Sequence, residues 1–124
     1  MSQYLCIRKE NQELVSFCRS SNVYQAFQLP YSEDWKELVH KDFRHAIDEI
    51  QSTERDFEEA IVLREKALEG LSYEEKLECL RDIKEIKDEL KNIFQAKHWI
   101  ELLEMIAEEY DENNKRQKMY YRIG

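Results

Sequence analysis

Along the middle of this chain, positions Val39, Phe43, Ala46, Ile50, Thr53, Phe57, Ala60, Arg64 and Ala67 recur at alternating intervals of four and three, with Ile47, Glu54, Ile61 and Leu68 alongside. That spacing keeps a mostly apolar stripe on one side of a helix, and a charged slot at Arg64 interrupts it. The same alternation returns at Cys79, Ile83, Ile86, Leu90, Ile93, Lys97, Ile100, Glu104 and Ala107, widened by Leu80, Phe94, Leu103 and Ile106. Two long helices are predicted. Between them lies Gly70, the only glycine before Gly124, followed by Ser72-Tyr73-Glu74-Glu75. Glycine accepts the left-handed conformation that ends many helices, and Ser-x-x-Glu is a capping box that opens one.

A short turn makes the helices antiparallel, so facing residue numbers should sum to about 142. This register places Phe57 by Ile86, Ile50 by Ile93, Phe43 by Trp99, Trp35 by Ala107, and Arg64 by Glu78. The first helix should start at Ser32, an N-cap after Pro30 backed by Glu33 and Asp34, and the second should run to about Asn113. Each would be about 55 to 60 Å long at roughly 1.5 Å per residue. From Leu90 to Tyr110 apolar residues point in nearly every direction, which predicts burial on all sides and further elements packed at the end distal to Gly70.

The termini supply those elements. Tyr4 to Lys9 and Leu14 to Arg19 alternate as short strands of a hairpin, with Leu5, Ile7, Val15 and Phe17 on one face. In the simplest register Cys6 stands opposite Cys18, two reduced thiols packed as small hydrophobes. Met119, Tyr121 and Ile123 alternate with Tyr120 and Arg122 as a third strand, because a lone hairpin is too small to be stable. Ser20-Ser21-Asn22 caps a short helix from Val23 to Gln28 that Pro30 stops. The expected fold is α+β, mostly α: one domain with a coiled-coil-like antiparallel helical hairpin over residues 32–114. Residues 1–31 and 115–124 form a small antiparallel β head.

Composition agrees with this picture. Charged residues make up 37% of the 124, and glycine and proline number only three together, which suits long exposed helices. No leader-like segment opens the chain and no stretch is long enough to span a bilayer, so a cytoplasmic protein without membrane partners is expected. Three cysteines without framework spacing fit a reducing compartment. The net charge of -8 is unevenly spread: residues 32–114 carry -13 and the terminal segments +5. Such a balance disfavours direct binding to nucleic acid.

Little in the sequence points to catalysis. Asp42-x-x-His45 and His98-x-x-Glu101 face each other in the predicted register, but Phe43 and Trp99 beside them indicate packing rather than a metal site. Glu101-x-x-Glu104 and Glu108-x-x-Asp111 are carboxylate pairs on adjacent turns, unsurprising among twenty-seven acids. There is no Ser-His-Asp set, phosphate loop or Cys-x-x-Cys. No catalytic residue, metal or cofactor is assigned.

One cluster has binding chemistry. Arg8, Lys9, Arg19, Tyr24, Arg116, Tyr120, Tyr121 and Arg122 are all placed on the head, and arginine forks with tyrosine faces suit planar anions such as nucleotides. The leading expectation is nonetheless a non-enzymatic interaction protein. Its acidic helical hairpin carries a second apolar row at Ile61, Leu63, Leu68, Leu77 and Leu80, which favours a homodimer and a further protein partner. Binding or sequestering an anionic small molecule is the alternative. A chain this compact would also suit a protein carried by a phage or other mobile element.

Overall fold

A computed structural model describes residues 3–10, 12–110 and 112–124. The elements are β1 (Tyr4–Lys9), β2 (Gln12–Cys18), α1 (Asn22–Phe27), β3 (Lys36–Leu38), α2 (His40–Ala67), α3 (Tyr73–Ala107) and β4 (Met119–Ile123). The protein is α+β and mostly α, with two long helices and a four-stranded antiparallel sheet built from both ends of the chain.

The helices form a hairpin of about 42 Å and about 52 Å at roughly 1.5 Å per residue. They run antiparallel: Cys79 Sγ donates to the Arg64 carbonyl at 3.5 Å near the turn, and Arg44 reaches Glu104 at the far end. Ser72 caps α3 as its sequence predicts, its hydroxyl accepting from the Glu75 amide at 3.3 Å while the Glu75 carboxylate accepts from the Ser72 amide at 3.4 Å. Gly70 does not behave as predicted. It closes a 3₁₀ turn over Leu68–Gly70 with negative φ, and a Cβ placed on it would meet nothing within 4 Å. The turn is therefore made by tightening the last helical turn, not by a left-handed glycine.

Both outer helix ends differ from the sequence reading. Ser32 does not cap α2. Its carbonyl accepts from the Ile123 amide at 2.8 Å and its hydroxyl donates to the Asp34 carbonyl, which ties this segment to the sheet. Lys36–Leu38 then pair with Tyr121–Met119 as an unforeseen edge strand, and α2 begins only at His40. The Asp42 carboxylate accepts from the Val39 amide at 2.9 Å there. At its other end α3 stops at Ala107 instead of Asn113, because cations from the head take its last carbonyls. Buried Lys9 donates to Ile106 O and, at 3.2 Å, to Glu109 O; Arg116 Nε donates to Ala107 O at 3.4 Å. α3 has no basic residue in its own last turn, so the tertiary structure supplies what the helix end lacks.

The sheet order is β2-β1-β4-β3. Leu5, Ile7, Val15 and Phe17 share one face as expected, but two residues out of the anticipated pairing: Leu5 faces Phe17, and Cys6 faces Ser16 rather than Cys18. A slip of two keeps every side chain on its side of the sheet, which is why the apolar face survived. Cys18 instead lies opposite Tyr4. The hairpin narrows through a bulge at Ile7/Arg8 and turns after Glu10, whose φ is 50°. Asn11, in the predicted turn, lies outside the described residues.

The buried cluster lies between this sheet face, α1 and the head end of the hairpin. Leu5, Ile7, Phe27, Phe43, Ile50, Ile93, Ile100, Leu103, Met119 and Tyr121 belong to it. Phe43 meets Phe27 edge-on at 5.7 Å and Trp99 meets Phe17 at 5.6 Å, so both rings of the predicted Phe43–Trp99 pair contact the head, and Trp35, predicted beside Ala107, lies outside α2. Arg64 donates to the Ala60 carbonyl at 3.2 Å instead of pairing with Glu78. The seam on α3 is as read. On α2, Thr53 and Ala67 turn out to solvent while Ile61 moves inward, because a straight helix at 3.6 residues per turn drifts off a seven-residue repeat.

Candidate functional site

Strand alternation divides the predicted basic-aromatic cluster. Lys9 and Tyr121 fall on the inner face of the sheet. Lys9 holds the α3 end, and the Tyr121 hydroxyl donates to Pro30 O at 3.1 Å. Burial, with the Asp42 carboxylate adding to it, holds the Tyr121 phenol above its ordinary value. Arg116 is also spent on α3. Arg19 and Tyr24 line a cavity of about 270 Å³ beside α1 with Leu5, Gln25 and Ile123, and the Tyr24 hydroxyl donates to Gln3 Oε1 at 3.3 Å.

Arg8, Tyr120 and Arg122 do converge. They occupy the outer face of β1 and β4, where Arg8 and Tyr120 are direct cross-strand partners. Sequence reasoning missed the residue that organises them: Trp35, the position before β3, which was assigned to a helix. The Arg8 guanidinium lies 4.1 Å from the centre of its ring, that of Arg122 at 4.9 Å, and Arg8 stands 5.9 Å from the Tyr120 ring. Cation–π attraction of this kind contributes about 0.5–1 kcal/mol each when exposed. Among the described residues neither arginine has a carboxylate within 4.0 Å, and Arg8 Nε is buried without a hydrogen-bond partner. Glu13 and Glu37, the cross-strand neighbours of Arg8 and Tyr120, stay beyond that reach.

The histidines distribute differently from the predicted facing pair. His45 Nε2 lies 3.1 Å from Gln28 Oε1, and His98 stacks edge-on against Phe94 at 4.5 Å. Instead His40, Glu104 and Glu108 gather at the α2/α3 head end, their nearest ligand atoms within 4.8 Å. Arg44 already forks onto both Glu104 oxygens at 3.1 and 2.5 Å, so this is an ion-paired surface network. Asp111, the last member of the predicted carboxylate pairs, lies outside the described residues. Exposed Cys18 has its thiol drawn below the usual range, chiefly by the Ser20 hydroxyl at 3.2 Å.

The second feature is a bare helix face. The sequence predicts the segment from Leu90 to Tyr110 buried all round, but α2, α1 and the sheet cover only the side carrying Ile93, Ala96, Ile100, Leu103 and Ala107. Phe94, Leu102 and Met105, on the opposite side, are 55%, 46% and 66% exposed. No helix of the described residues is long and apolar enough to cross a membrane.

Fold and surface together define an α+β protein with a long helical hairpin, a small sheet head and two exposed apolar or aromatic surfaces. No protein-family model, curated protein or solved structure matches the chain.

Proposed function

We propose that this is a non-enzymatic interaction protein that binds protein through its helical hairpin and works as a homodimer. The observation carrying this reading is the line of Phe94, His98, Leu102 and Met105 along the solvent side of α3, directly opposite that helix's own core residues. Three large apolar side chains spaced for one helix face are costly to leave in water, and faces of this kind serve association. Light scattering on the purified chain at tens of micromolar should give twice the 15.1 kDa monomer mass. A monomer at that concentration overturns the homodimer.

The outer sheet face favours a second reading, recognition of a small planar anion. Arg8 and Arg122, without ion pairs among the described residues and beside Trp35 and Tyr120, offer charge and aromatic surface together. A thermal-shift panel of nucleotides and inorganic phosphate tests it. Stabilisation that disappears in Arg122→Ala supports the site; the absence of any shift removes it.

A further inference from the structure

The charges flanking the bare α3 face specify how two copies meet. Toward the hairpin tip the face continues into Lys84, Lys87 and Lys91, all exposed. Lys84 and Lys91 have no ion pair among the described residues, and Lys87 has only a long one, 3.9 Å to Glu65. Toward the head α3 ends at its C-cap Glu108, and the chain just beyond it carries Glu109 and Glu112, all three exposed. The face therefore reads cationic then apolar along α3, with an acidic segment following its C-terminal end.

The geometry points to an antiparallel homodimer in which α3 packs on α3 of a second copy about a two-fold axis at His98. This rests on the homodimer reading above and names its partner face and register. About that axis Phe94 of each copy packs on Leu102 of the other, and the stem of Lys91 lies along Met105. Lys84 and Lys87 come to the acidic end of the opposite helix. Both apolar and charged positions are satisfied at once, as an isologous interface requires. A parallel arrangement buries the same apolar residues but stacks three lysines against their own copies and acid against acid. Like-charge juxtaposition excludes that arrangement more strongly than apolar contact distinguishes the two. The helical contact strip from Lys84 to Met105 is about 32 Å long at roughly 1.5 Å per residue and one helix wide, small beside a typical stable interface of about 800 Å² per partner. Its charged ends make the dimer salt-sensitive.

Disulfide trapping separates the register from the dimer itself. In a background carrying Cys6→Ser, Cys18→Ser and Cys79→Ser, two single variants are made, Lys91→Cys and Met105→Cys. Mild oxidation of the mixture should yield a cross-linked dimer joining one variant to the other, with little from either alone. Self-linking of each variant alone, with no gain on mixing, overturns the antiparallel register in favour of a parallel one. No cross-link in a sample that light scattering shows to be dimeric overturns this face while leaving the homodimer standing. A monomer at tens of micromolar defeats both. Lys84→Glu with Lys87→Glu should weaken the dimer by about tenfold or more, and Glu109→Lys with Glu112→Lys in the same chain should recover it. Failure to recover, with the helix content of the variants unchanged, removes the charge pairing.

Discussion

The two ends of the helical hairpin begin from similar periodic sequence and finish in different states. At the head end, Phe43, Ala46 and Ile50 of α2 and Ile93, Ile100 and Leu103 of α3 lie within one buried cluster shared with the sheet and α1. Toward the tip, Ile61 and Ile83 are buried by the partner helix alone, and Leu63, Leu77 and Leu80 are half or more exposed. A heptad-like stripe makes a helix pair, but two helices shield only the strip between them. A core forms where a third layer closes the seam.

The largest test of that contrast is truncation at matched positions. Phe43→Ala, in the three-layer end, should cost about 3–5 kcal/mol, and Ile83→Ala near the tip about 2 kcal/mol. Urea unfolding of both variants measures the gap; equal losses would mean that the tip is as well packed as the head.

A smaller effect is expected at the junction of sheet and helix. Lys9→Met keeps the buried stem but leaves the Ile106 and Glu109 carbonyls without their donor, at about 1–3 kcal/mol. Amide exchange should quicken in the last turn of α3 and not at the tip. Uniform protection would show that Lys9 does not hold that end.

The head should also be more alkali-sensitive than the hairpin. Below the ordinary tyrosine value of 10.0 both folded and unfolded chains keep the Tyr121 proton, and pH has no leverage through this group. Above it the unfolded chain ionises first, unfolding releases a proton, and stability falls with rising pH. Denaturant midpoints should therefore decline above that value more steeply in the native protein than in Tyr121→Phe. Parallel curves would show that buried Tyr121 is not the source.

The smallest effect separates the turn from both helices. Gly70 has negative φ and open space around its Cα, so Gly70→Ala should stabilise by about 0.4–1 kcal/mol through the unfolded state. A clear loss of stability would instead mean that the turn needs a left-handed residue.

Much of the fold was legible because its signals are local. Ser72 with Glu75, Ser21 before α1 and the alternation in β1 and β4 each act within a few residues, and each stands where expected. β3 was not legible: Pro30-Tyr31-Ser32-Glu33-Asp34 carries the marks of a helix start, and only the free edge of β4 recruits Lys36–Leu38. The candidate site suffered from the same displacement. Arg8, Lys9, Tyr120, Tyr121 and Arg122 were all read onto the head, but strand parity places Arg8, Tyr120 and Arg122 on the outer face and turns Lys9 and Tyr121 inward. Trp35 was invisible as their neighbour so long as it was read into α2. The bare face of α3 was legible as apolar and misread as buried, because sequence reports the apolar content of a helix and not how many sides its neighbours cover.

The sequence by itself determined two long helices, the place where they turn back, and which strand faces are apolar, since periodicity and capping depend on residues within a turn or two of one another. Only the tertiary structure decided where α2 starts and α3 stops. It also decided which cations serve a helix end and which gather around Trp35, and which apolar face of α3 is left open. Those outcomes depend on competition between distant groups for the same hydrogen bonds and the same covered surface.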